Sequence, residues 1–123
     1  MKQSSKNIPT VERLLENNSA FDFNRINMLS GTVVSITGRN LPENISMLLQ
    51  CCGNLGATIE REVSKNSDII IVSNLNSVSD DNVKNASKTT ALFTTEEISE
   101  YVAKRLEMFP DESTAFYFNN YKA

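Results

Sequence analysis

Thr37, Gly38 and Arg39 follow one another directly after the β-branched run Gly31–Thr37, "GTVVSIT". A strand that stops on Thr-Gly offers a hydroxyl, a backbone N–H and room for close approach, because glycine has no Cβ. Arg39 adds a guanidinium fork that matches an anionic oxygen pair. If a helix follows at once, its N-terminus adds partial positive charge. The chemistry this suits is recognition of a phosphate group. The competing reading is plain: Thr-Gly is also a good turn and cap, and an arginine beside it is also a solvated surface residue.

Other residue types narrow the field. The chain has no His, and its two Cys are the neighbours Cys51 and Cys52. Ser-His and Cys-His nucleophile systems are therefore excluded. A structural zinc site lacks ligands. Adjacent cysteines on a helix point apart, so they read as buried thiols of a reducing compartment rather than as a pair. Asp80-Asp81 and Glu96-Glu97 are carboxylate pairs, but both fall at expected helix starts, where acids are favoured as caps. No glycine-rich dinucleotide or phosphate-loop fingerprint occurs. The expectation is a protein that is not an enzyme and needs no cofactor or metal.

The elements that position these residues can be read from hydrophobic period and caps. With 123 residues the chain is one domain's worth. Its formal net charge of −3 argues against coating duplex DNA by overall charge, so any phosphate must sit in a local pocket. A short helix is expected over "IPTVERLLENN", started at Pro9 or Thr10. Phe21, Phe23, Ile26 and Leu29 should pack on the main domain. The first strand is expected over Gly31–Thr37. A helix then starts at Asn40, with Glu43 completing a box and Pro42 in the first turn. Ile45, Leu48, Leu49 and Cys52 form one apolar face, and Gly53 or Gly56 ends it. "ATIEREV" reads as a more exposed strand, and "DIIIVSN" as a buried one. A short helix from Asp80 or Asp81 to Lys88, a strand "ALFT", and a helix "TTEEISEYVAKRLEMF" follow. Pro110 stops the last. The tail carries Phe116, Tyr117, Phe118 and Tyr121: a base-stacking platform, a contact with a second copy, or packing on the protein's own core. Strands separated by helices imply an α/β fold with a parallel sheet. The short link between the second and third strands would otherwise suggest a hairpin.

The order and spacing of several short motifs resemble a BRCT domain, most closely the type found in NAD-dependent DNA ligases and in the large subunit of the clamp loader. The residues are Thr37-Gly38, Gly56-Ala57, "VSKNSD" from Val63 to Asp68, the strand Ile69–Val72, and Ala86. The resemblance covers about residues 29 to 106. It implies a BRCT-like four-stranded parallel sheet of order 2-1-3-4 flanked by three helices, the first and third on one face and the second on the other. An N-terminal extension (1–28) with a short helix and a C-terminal tail (109–123) lie outside the domain (29–108). It further implies that Thr37 and Gly38 bind phosphate with a lysine of the second helix, here Lys84 or Lys88, and Arg39 beside them. The pattern departs at Asn85, which stands where the family has Lys, and at Thr90, which replaces a Gly. The bland reading of Lys84 and Lys88 is a solvated helix face, and that of Lys65 an ordinary loop lysine.

Two functions follow. One is a binding module of DNA replication or repair, taking a 5′-phosphorylated DNA end or a phosphorylated protein, with a replication or repair enzyme as partner. The other is a phosphate-independent protein–protein scaffold or self-association domain, with a homodimer open. No apolar stretch is long enough to cross a membrane, and no signal sequence is read. The expected setting is intracellular: cytoplasmic in a bacterial or phage context, nuclear in a eukaryotic one.

Overall fold

The computed structural model describes residues 8–25 and 27–123, so Ile26 and the polar start (1–7) lie outside the described residues. Four strands form its centre: β1 (Val33–Ile36), β2 (Thr58–Ile59), β3 (Ile69–Val72) and β4 (Ala91–Thr94). They lie in the order β2-β1-β3-β4, and every pair is parallel. The fold is α/β with strand order 2-1-3-4.

Two parallel strands joined by a short link cannot be neighbours. Here β2 and β3 flank β1 on opposite sides, and the link passes across β1. Ser35 marks the crossing. Its hydroxyl meets that of Ser67 at 2.7 Å and donates to the Glu62 carbonyl at 3.3 Å. Strand residues alternate faces, so Ser35 points away from Val34 and Ile36. A small polar side chain there leaves room for the link and satisfies it. The link closes on the sheet at Asp68. Its N–H donates to the Val33 carbonyl and its carboxylate accepts from the Val33 N–H, both at 2.8 Å.

The alternation of β3 and β4 splits the core in two. Ile69, Ile71, Ala91 and Phe93 face one side, and Ile70, Val72 and Leu92 the other. On the first side lie α2 (Ile45–Asn54) and α4 (Thr95–Met108). They contribute Leu48, Leu49, Cys52, Ile98 and Val102. On the second side lie α1 (Val11–Glu16) and the four-residue α3 (Asp80–Val83), contributing Leu14 and Val83. Each such side chain, fully buried, stabilises by about 1.5–3 kcal/mol.

Caps explain most helix ends. Thr94 and Glu97 form a capping box on α4, and Ser79 with Asn82 forms one on α3. The acids at both starts serve these ends, and Asp80 also accepts the Val11 N–H at 2.9 Å, capping α1 from another element. The box expected at Asn40 and Glu43 does not form: Asn40 takes φ +61° and α2 begins only at Ile45, with Asn44 at its cap. Helix α3 is shorter than expected, since the chain from Lys84 to Thr90 runs as turns before β4.

The tail is a helix, α5 (Glu112–Lys122), antiparallel to α2. The Cys51 thiol at one end lies 3.6 Å from the Thr114 carbonyl, and the Asn44 amide at the other donates to the carbonyl of Tyr121 at 2.7 Å. Phe118 is buried in the core and Tyr117 and Tyr121 pack against it, so most of the aromatic tail packs on the protein itself. The N-terminal segment docks likewise: Phe21 and Phe23 set their rings edge-on to Phe93 at 6.0 and 4.9 Å.

Candidate functional site

Central strand β1 ends at Ile36, which places Thr37 and Gly38 at the carboxyl rim of a parallel sheet, where ligands of such folds gather. The Thr37 N–H donates to the Ile71 carbonyl at 3.2 Å, tying the turn to β3. Gly38 then takes φ +93°. A Cβ on it would stand 2.8 Å from the Ser77 carbonyl oxygen. Glycine is required here twice, by its backbone angle and by this close approach. Neither the Thr37 hydroxyl nor the Gly38 N–H finds an acceptor among the described residues. Both residues are partly exposed, and neither donor is spent on the protein.

Arg39 is held differently from the expectation. Its N–H donates to the Ser77 carbonyl at 2.8 Å and its guanidinium to the Asn76 carbonyl at 3.0 Å. The side chain is exposed and braces the short 3₁₀ turn Leu75–Ser77 against the Thr-Gly turn. That turn is itself internally bonded: Asn74 accepts from the Asn76 N–H and from the Ser77 hydroxyl. Carbonyls 76 and 77 therefore wall one side of the Thr37–Gly38 turn with acceptors. The helix start expected beside Gly38 is displaced, because residues 39 to 44 intervene before α2.

The structure does not bring the two candidate lysines to this turn. Lys84 pairs with Asp81 at 3.0 Å across one turn of α3. It lines an open depression of about 600 Å³ together with Lys65, Ser64 and Asn85. No residue of the Thr37–Gly38 turn lines it. Lys88 lies in the approach to β4, at the sheet's amino end, where its carbonyl accepts from the Asn17 amide at 2.7 Å. A four-residue strand is about 13 Å long, so Lys88 and Thr37 belong to opposite rims. The pairing of Lys65 with Lys84 was not legible in the sequence. It arises because the link crossing β1 passes beside the end of α3.

The cysteines offer no nucleophile. Burial pushes Cys51 up to about 11 and, with its neighbour's charge added, Cys52 up to about 12. Thiols held this far above neutrality stay protonated. The Tyr101 hydroxyl, also pushed up by burial, accepts the Met28 N–H at 3.1 Å and anchors the N-terminal segment.

Comparison with known proteins gives no match: no family model, no curated protein and no solved structure matches the chain. No helix among the described residues is long and apolar enough to cross a membrane.

Proposed function

We propose that the chain is a non-enzymatic, BRCT-type binding module of DNA replication or repair, which takes a phosphate group at the Thr37–Gly38 turn. The motif order in the sequence supports the family, and the strand order 2-1-3-4 agrees with it. The observation that supports the site is the pair of unspent donors, the Thr37 hydroxyl and the Gly38 N–H, side by side at the carboxyl rim. Arg39, exposed and one residue away, supplies the positive charge of the turn itself. Its fork reaches a ligand by releasing the Asn76 carbonyl.

A specific observation favours a second reading. Lys84 and Lys88 lie elsewhere, and carbonyls 76 and 77 present acceptors beside the turn. Those features suit a scaffold that binds protein without phosphate. Titration of short duplex DNA, and of a matched peptide, each with and without its phosphate, separates the two readings. Phosphate-dependent binding lost in Thr37→Ala supports the first. Protein binding that ignores the phosphate supports the second.

A further inference from the structure

Two hydrogen bonds anchor the chain on either side of the Gly38 N–H. The Thr37 N–H donates to the Ile71 carbonyl at 3.2 Å, and the Arg39 N–H donates to the Ser77 carbonyl at 2.8 Å. Peptide units are planar. The unit joining Thr37 to Gly38 therefore sits between two anchored neighbours, and the orientation of its unspent N–H depends on both anchors. The anchors differ in kind. Ile71 lies in β3, paired on both sides within the sheet. Ser77 closes a three-residue 3₁₀ turn outside the sheet, a structure whose own hydrogen bonds are poorly aligned.

Asn74 stiffens that turn. Its side-chain oxygen accepts the Asn76 N–H at 3.0 Å and the Ser77 hydroxyl at 3.1 Å, the local bonding that suits asparagine to turns. Its backbone carbonyl accepts the Ser77 N–H at 3.1 Å. Its amide donates to the Ser73 hydroxyl, which donates in turn to the Ser77 hydroxyl, both at 3.2 Å. The Ser73 carbonyl accepts from the Thr95 hydroxyl at 3.4 Å, which ties the network to the first residue of α4. Ser77 is buried, whereas Asn74 is exposed. The Asn74 side chain thus fills no core space. What it sets is the place of carbonyls 76 and 77, the two that Arg39 bonds.

We infer that Asn74 is a positioning residue of the Thr37–Gly38 turn: through Ser77 it holds the Arg39 N–H, and so aims the Gly38 N–H at a bound phosphate. This rests on the reading of that turn as a phosphate site. Asn74 itself touches no ligand. When the Arg39 guanidinium leaves the Asn76 carbonyl for a phosphate, the backbone bond to Ser77 remains. The side chain moves while the donor beside it keeps its aim. A donor ordered in advance spares the cost of ordering it on binding.

The test uses Asn74→Ala, which removes the accepting oxygen, and Asn74→Asp, which keeps it. Native-state hydrogen exchange without ligand is read first. Exchange at the Arg39 amide should quicken about tenfold or more in N74A, as local opening does, and stay slow in N74D. The Thr37 amide should be unmoved in both. Titration then compares wild type and N74A on the paired DNA and peptide ligands, with and without phosphate. N74D is read by exchange alone, because its added charge acts on a phosphate directly. In N74A the phosphate-dependent part of the affinity should weaken about three- to tenfold, with the unphosphorylated ligands unaffected. Unchanged exchange at Arg39 in N74A overturns the inference, and so does fast exchange in N74D. Equal quickening at Thr37 and Arg39 assigns Asn74 to the fold at large and also overturns it. So does full phosphate-dependent affinity in N74A despite faster exchange at Arg39. A wild type that binds both members of each ligand pair equally refutes the phosphate reading itself, and the positioning role with it. The wild-type titration therefore tells the two failures apart.

Discussion

Asn18 pairs with Leu92 as a strand would. Its side-chain amide donates to the Leu92 carbonyl at 2.7 Å and accepts the Leu92 N–H at 3.0 Å. Asn17, beside it, donates to the carbonyls of Lys88 and Thr90. Because β4 is the last strand of the sheet, these two amides occupy an edge that would otherwise accept a strand from another molecule.

Replacing Asn18 with Ala should therefore do two things. It leaves a partly buried N–H and C=O unpaired, at a cost of about 1–2 kcal/mol, readable as a lower urea midpoint. It also opens the edge, so sedimentation should show concentration-dependent association absent in the wild type. A variant as stable and as monodisperse as the parent would show that the amide does not protect the edge.

Gly38 and Thr37 should separate stability from binding. Gly38→Ala forces a side chain into a left-handed backbone and onto the Ser77 carbonyl. The cost should be about 1–3 kcal/mol, seen as a lower melting temperature. Thr37→Ala removes a hydroxyl with no internal partner, so stability should stay within about 0.5 kcal/mol while phosphate-dependent binding disappears. A Thr37→Ala protein destabilised as much as Gly38→Ala would mean that the hydroxyl serves the fold.

The buried thiols predict an alkaline limit. An unfolded cysteine titrates near 9.0, whereas Cys51 and Cys52 in the fold do so at about 11 and about 12. The unfolded chain therefore loses protons that the folded chain keeps. Stability from this source is complete below 9.0 and drains as pH rises toward about 12. Iodoacetamide at mildly alkaline pH should label the protein only after denaturant is added. Rapid labelling of the native protein would contradict the burial of both residues.

Asp111 predicts an acid limit for one helix. Its carboxylate caps α5, accepting from the Thr114 hydroxyl and the Thr114 N–H, and these bonds hold it below the ordinary carboxylate value of 3.8. The contribution is present above 3.8 and is lost as pH falls through the lower folded value. Asp111→Asn should be less stable than the parent near neutrality, and the difference should vanish in acid. A difference that persists at low pH would rule out the ionised cap as its source.

Much of the fold was legible because local signals agreed with it. "DIIIVSN" carried the strongest buried-strand signal, and the Thr94-Thr95 pair followed by acids marked the start of α4, where the cap is Thr94. The strand order was legible through the motif resemblance; the short link between β2 and β3 by itself suggested a hairpin, and the sheet places β1 between them. Asn40 misled, because a good capping residue also tolerates positive φ, and the turn used that property instead. The site was legible only in part. Thr37 and Gly38 are placed by the strand before them. The partners of Arg39 lie at residues 76 and 77, and Lys65 and Lys84 come to one depression from separate segments, which no local pattern reports.

The crossing at Ser35 bears on how the chain assembles. Because β1 must be threaded between β2 and β3, no two consecutive strands among the first three can zip together across a tight turn. Val34 meets Ile59 on one side and Ile69 on the other, so the middle of the sheet closes only when three separate segments arrive together. Folding is thus gated by loop closure rather than by local contacts, and its rate should fall toward that of other topologies dominated by non-local pairing.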